Sequence, residues 1–287
     1  LVPLPKDAVV IDCKGKTILP AFIELYSNVG LPEVKRKNSN SRSPQLNTSK
    51  EGAYYWNESI HPEINASELY VTDEKKNKAL INMGFGFAFT HQFDGIARGR
   101  GAFVALGESD GSNLSRKNES GIYSFIKGVS RQTYPSSQMG SIALLRQAFY
   151  DAAWYKDHNE KVNLSLDEIN AQKTNDIFFV TNDKKEILRA QKIANEFDLS
   201  VNYYGSGNEY EIVDELKQMN SSIVVPINYP DAYEVKNPYI ARQIPLSDLK
   251  HWEMAPKNPG ILARNGISVS ITSNGNKTAK DFWSNIH

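Results

Sequence analysis

The sequence predicts an α/β protein, a TIM-type (β/α)8 barrel, and three observations lead there. Strand and helix patterns alternate four times in succession from Ile177 to the end of the chain. That order gives a parallel sheet covered by helices through right-handed crossovers. The 287 residues suit a single barrel, a fold of typically about 250 residues. No Gly-rich dinucleotide turn follows an early strand, which counts against a doubly wound open sheet.

Taken in order, Ala8-Val-Val-Ile-Asp12 alternates weakly and reads as a strand, followed by a turn at Gly15-Lys16. Thr17 to Leu25 is almost continuously apolar, as a strand buried on both faces is. Residues 31–52 form a long polar excursion with Lys35-Arg36-Lys37 and an Asn/Ser-rich run, which reads as a mobile, solvated loop. Asp73 to Met83 reads as a helix stopped by Gly84. Phe85 to Thr90 and Ala102 to Leu106 read as strands. Between them, Gly95-x-x-x-Gly99-x-Gly101 precedes a strand, so it reads as a hairpin turn in preference to a phosphate cradle. Ile142, Leu145, Phe149 and Ala152 recur at helical spacing and predict a helix over 140–155. The regular part follows: strand Ile177–Val180, helix Lys185–Phe197, strand Val201–Tyr204, helix Glu209–Met219, strand Ile223–Ile227, helix Pro259–Asn265 closed by Gly266, strand Ser268–Ile271, and a helix from Thr278.

Composition narrows the function. Lys+Arg and Asp+Glu both number 33, so no global field attracts nucleic acid or an anionic membrane. One cysteine, Cys13, excludes an internal disulfide and a cysteine-built zinc site. No apolar run approaches the roughly 20 residues of a membrane span. Leu1-Val-Pro-Leu-Pro has neither an initiator Met nor a cap, and reads as the middle of a longer protein.

A barrel carries its chemistry where the strands end, at the C-terminal face. The residues to weigh there are Tyr26-Ser-Asn28, His91-Gln-Phe-Asp94, Thr181-Asn-Asp183, Tyr204-Gly205, Asn228 and Ser273-Asn274. None of the five histidines is paired at ligand spacing, and no Gly-x-Ser-x-Gly nucleophile turn is present. His91 with Asp94 could line the pocket, although a satisfied structural histidine is the commoner case.

Four segments carry a family resemblance. Val10-Ile-Asp-Cys-Lys-Gly-Lys-Thr-Ile-Leu-Pro-Ala-Phe-Ile-Glu24 resembles the approach to the first barrel strand in the metal-dependent amidohydrolase superfamily. Tyr55 to Asn65, Gly95 to Gly101 and Asn258 to Gly266 resemble its imidazolonepropionase-like branch, especially the long bacterial members. The resemblance implies a barrel at 17–287 and, at 1–16, a remnant of the β-sandwich that flanks such barrels, with the sandwich's C-terminal return absent. It also implies a bacterial protein, periplasmic or secreted.

The departures from the family pattern fall on its metal ligands. The first-strand His-x-His is replaced by Tyr26 and Asn28, the fifth- and sixth-strand histidines by Asn182 and Tyr204, and the last-strand aspartate by Asn274. Zinc binds imidazole, thiolate and carboxylate, whereas these amides and phenols are neutral near pH 7. Without a metal to lower its pKa, or a carboxylate to take its proton, water there is not activated. Three readings follow. The chain is a non-catalytic structural or interaction domain, one half of a protein whose other half is a catalytic amidohydrolase. Or it is a carbon–nitrogen hydrolase whose zinc is regained through His91, Asp94, Asp183 or Glu209. Or it is a metal-free binding protein whose polar ring of Tyr26, Asn28, Asn182, Tyr204 and Asn274 suits a sugar or an amide.

Overall fold

The structure, a computed structural model, describes residues 8–34, 47–107, 115–125, 134–158 and 160–287, with residues 115–119 described by backbone alone. Eight strands form one sheet in sequence order: β1 (Phe22–Ser27), β2 (Phe85–Thr90), β3 (Ala97–Ala105), β4 (Ser115–Ser124), β5 (Ile177–Val180), β6 (Val201–Tyr204), β7 (Ile223–Pro226) and β8 (Val269–Thr272). Neighbours are parallel except at β3, which runs antiparallel to both β2 and β4. The barrel is therefore α/β but not strictly alternating: β2, β3 and β4 follow one another with no described helix between them.

Helices occupy the other connections. α1 (Ala66–Leu69) and α2 (Glu74–Ile81) join β1 to β2, and α3 (Gln138–Tyr155) and α4 (Leu164–Gln172) join β4 to β5. α5 (Lys184–Phe197) and α6 (Val213–Met219) follow β5 and β6. α7 (Pro238–Ala241), α8 (Leu246–Met254) and α9 (Asn258–Arg264) lie between β7 and β8, and α10 (Ala279–Ile286) ends the chain. Most starts are capped by side chains: Asp73, Ser137, Asn163, Asp183 and Thr278 each accept a backbone N–H of the first turn.

Strand alternation divides the side chains between two cores. Ile177, Phe179, Val201, Tyr203, Ile223 and Val225 point outward and pack with Leu144, Ile187, Ala190, Leu216 and Leu262 of the helices. The intervening Phe178, Val180, Tyr204 and Val224 point inward, where they meet Phe89 and Ile122. A one-residue change of parity would exchange Tyr203 and Tyr204. Tyr203 sits outside, its hydroxyl donating to Gln191 Oε1 at 2.7 Å, and Tyr204 sits inside.

No β1–β8 ladder is formed among the described residues, and side chains close the barrel instead. The buried Glu24 carboxylate accepts Tyr26 N at 2.9 Å, Thr272 Oγ1 at 2.5 Å, Ser273 N at 2.8 Å and Ser273 Oγ at 2.5 Å. Tyr204 Oη reaches across from β6 to Leu25 O at 2.8 Å.

Three expectations need correction. Residues 8–13 form no strand, and Val9, Val10 and Ile11 are exposed; β1 begins at Phe22, not Thr17, beyond Pro20. Of the sandwich remnant expected at 1–16, residues 1–7 lie outside the described residues. Gly99 and Gly101 lie inside β3 and not in a turn. Of the polar excursion, residues 31–34 and 47–52 are largely irregular, while 35–46, with Lys35-Arg36-Lys37, fall outside the described residues.

Gly99 has φ +88° and marks a break in the β3–β4 register. A Cβ there would lie 2.1 Å from Ile64 O and 2.7 Å from Ile64 Cβ, against backbone that cannot swing aside. Gly99→Ala is expected to cost about 1–3 kcal/mol, read as a lowered urea midpoint. An unchanged midpoint would mean that the bulge is not required.

Candidate functional site

The bulge at Gly99 decides what the barrel interior contains. Regular alternation would put Arg98 and Arg100 on one face of β3. With the extra residue they part. Arg100 pairs with Glu168 of α4, and Arg98 faces inward. The Arg98 guanidinium is buried, donating from Nε to Gly95 O at 3.1 Å and from one terminal nitrogen to Ser124 Oγ at 3.0 Å. Its other terminal nitrogen has no partner. Burial pulls its pKa below the ordinary value, while Tyr26, Asp94 and Tyr204 act in the opposite direction.

Beside Arg98 lies a tightly packed set of rings. Tyr26 from β1 meets Tyr204 from β6 edge-on with centroids 4.7 Å apart, and stacks on Phe93 at 4.6 Å. His91, following β2, sits 5.2 Å from Tyr26 and lies flat against Tyr204 at 5.6 Å. His91 is fully buried; its Nδ1 is 2.9 Å from Gln92 O, and its Nε2 has no partner. Burial first, then the charge of Arg98, brings its pKa down to about 3 against a small opposing effect of the Gln92 carbonyl, so the ring is neutral at ordinary pH. Burial, with help from Tyr26 and Glu24, pushes the Tyr204 phenol well up, and it is neutral as well.

Above these rings a pocket of about 220 Å³ opens at the C-terminal ends of β5 to β8. Tyr26, Asn182, Tyr204, Ser206, Asn228 and Asn274 are among its polar lining, with Thr181 and Thr272; Val180, Val224 and Pro226 are among the apolar residues. Buried carboxylates stand behind it. Glu24 holds Thr272 and Ser273 on β8 and the turn after it. Glu186, at the start of α5, accepts Asn182 N at 2.7 Å and Asn182 Nδ2 at 3.0 Å. Burial raises the Glu186 pKa, and the Asn182 bonds counter that rise. Glu209 accepts Ser206 N, Gly207 N and, at 2.7 Å, Asn258 Nδ2.

Of the sequence candidates, Tyr26, Asn182, Tyr204 and Asn274 converge on one pocket. Asn28 does not: it is exposed beyond β1 and absent from the lining. His91 lies among the rings beneath the pocket, and Asp94 lies in the turn that also holds Gly95. Asp183 is occupied as the cap of α5 and Glu209 in its loop, so neither approaches His91 as a shared metal site requires. Among the described residues no group of three or more His, Cys, Asp or Glu is arranged to hold a metal ion. Arg98, Glu24 and Glu186 escaped sequence reasoning. Arg98 sat in a presumed turn, and the partners of Glu24 lie at the far end of the chain.

The donor set does not fit zinc. A single imidazole nitrogen is available, the nearest phenol is neutral and bonded to a carbonyl, and a guanidinium stands beside them. A divalent cation there would face the charge of Arg98, on which Asp94 also acts, with no group of three ligating side chains among the described residues to hold it.

No family model matches the sequence, and no curated protein matches it. Among solved structures, an amidohydrolase from Thermotoga maritima MSB8 is similar in fold, with a TM-score of 0.70 over 98% of this chain and 72% of that one. Identity is 16%, so the likeness is one of architecture: this chain has an amidohydrolase-like barrel.

Proposed function

We propose that this barrel does not catalyse hydrolysis and serves as the structural or binding half of a larger bacterial protein, beside a catalytic amidohydrolase half. The packing of Tyr26, Tyr204 and His91 into one another is the observation that carries the reading. By the family resemblance, Tyr26 and Tyr204 stand where metal ligands would, and the charge of Arg98 beside them further disfavours a cation. Water at the mouth then has neither a Lewis acid to acidify it nor a carboxylate aimed at it. The apolar strip Val9, Val10, Ile11, Ile18 and Leu19, exposed ahead of β1, supports a covering partner.

Metal analysis tests the proposal. Protein purified without chelators is expected to hold well under one equivalent of zinc, and added zinc is expected to leave the melting temperature unchanged, because a ligand that binds only the folded state must raise it. Stoichiometric zinc that disappears in His91→Phe would sink the reading in favour of a metal-dependent hydrolase acting on carbon–nitrogen bonds.

A further inference from the structure

The pocket at the ends of β5 to β8 has the features of a ligand site whose chemistry can be read from the hydrogen bonds that remain unspent. Asn228 and Asn274 lie on its wall, and neither side chain forms a hydrogen bond within the described protein. Asn182 uses its Nδ2 on Glu186, which leaves its carbonyl oxygen to accept. Ser206 donates to Asn208 Oδ1 and keeps its own lone pairs. Donors and acceptors therefore approach the space from four strand ends, those of β5 to β8.

Charge is held away from that space. Glu24, Glu186 and Glu209 are absent from the lining and accept hydrogen bonds from the pocket's own residues or their immediate neighbours. Arg98 lies with its free nitrogen sealed from solvent. A charged ligand would lose hydration without gaining an opposite charge in contact. A hydroxyl suits the wall better, because it both donates and accepts, as a side-chain amide does. Tyr26, half-buried where Tyr204 is buried between His91 and Phe178, adds an aromatic surface on which the C–H groups of a saturated ring can rest. A volume of about 220 Å³ admits one small ring and lies below the range of drug-sized sites.

We infer that this pocket binds an uncharged polyhydroxylated ring, a single neutral sugar unit. The carboxylates behind Asn182, Ser206 and Thr272 fix the rim before the ligand arrives, which lowers the entropic cost of binding. The inference rests on the metal-free reading above, because a zinc ion at this mouth would make the same walls an active site.

The test is titration of the full chain with glucose, galactose, mannose and xylose, alongside glucuronate and glucosamine as charged counterparts, followed by calorimetry or saturation-transfer NMR. At least one neutral sugar is expected to bind with a millimolar Kd. Asn228→Ala and Asn274→Ala, whose side chains form no hydrogen bond among the described residues, should each weaken it roughly tenfold, equivalent to about 1.4 kcal/mol. Asn28→Ala, off the pocket, should leave it unchanged. No binding by any neutral sugar, binding only of glucuronate or glucosamine, or binding that survives both pocket variants would overturn the inference. Zinc analysis of the same preparation separates the two failures: absent metal with no sugar binding defeats this inference alone, and bound zinc defeats the non-catalytic reading beneath it.

Discussion

Replacing Glu24 with alanine is expected to remove about 3–5 kcal/mol of stability, the upper range for a single substitution, because several buried donors lose one shared acceptor. The magnitude follows from what is left behind. Tyr26 N, Thr272 Oγ1, Ser273 N and Ser273 Oγ all lose their acceptor, at a place the chain shields from water. An unsatisfied buried donor costs about 1–3 kcal/mol. Glu24→Gln discriminates between loss of charge and loss of geometry. Each carboxylate oxygen receives one backbone N–H and one hydroxyl: Oε1 takes Tyr26 N and Thr272 Oγ1, and Oε2 takes both donors of Ser273. Whichever way a glutamine amide turns, its NH2 group faces a backbone N–H. Glutamine is therefore expected to keep less than half of the lost stability. Urea unfolding measures the loss, and hydrogen exchange at Tyr26 and Ser273 locates it. Exchange at these amides as slow as in the unmodified protein would show that the barrel closes without Glu24.

Acid is expected to destabilise the protein through His91. Its pKa stands at about 3 in the folded chain, against about 6.5 for an unperturbed histidine. Between those values the unfolded chain binds the proton and the folded one does not, so stability rises with pH across that window and is fully restored above it. Taking pH from about 7.5 to about 4.5 should cost roughly 2–3 kcal/mol through this one group. Carboxylates titrate in the same range, so the comparison that isolates the histidine is His91→Phe. Phenylalanine suits a site walled by Tyr26, Phe89, Phe93 and Tyr204. The variant should match or fall below the parent near neutral pH and overtake it in acid. Parallel pH–stability curves for the two proteins would show that His91 does not titrate in this way.

The repeating part of the fold was legible because its period is set by simple geometry. Ile177–Val180 and Val201–Tyr204 coincide with the predicted strands, and helices 73–83, 140–155 and 185–197 needed only small shifts at their ends. β4 was not legible: Ser115-Arg-Lys-Asn-Glu-Ser carries no apolar alternation, and the segment is a strand because β3 pairs with it. The opposite error came at Ala8–Asp12, where apolar alternation exists but no neighbouring strand takes it up. At the site, Tyr26, Asn182, Tyr204 and Asn274 could be found because strand ends converge in a barrel. Arg98 could not, because its direction depends on a bulge at Gly99 that no residue count reveals. Asn28 lies one residue beyond β1, which ends at Ser27, and its side chain is exposed.

The reversal of β3 also bears on how the chain assembles. Strands linked by hairpins join short loops, and the entropy lost in bringing two points together grows with the chain between them. Segment 85–124 can thus gather early from neighbouring stretches, in advance of the longer crossovers on either side. The atoms that bring the two ends of the sheet together lie 248 and 249 positions apart. Enclosure of the interior, which needs those distant contacts, is then expected to follow the pairing of β2, β3 and β4.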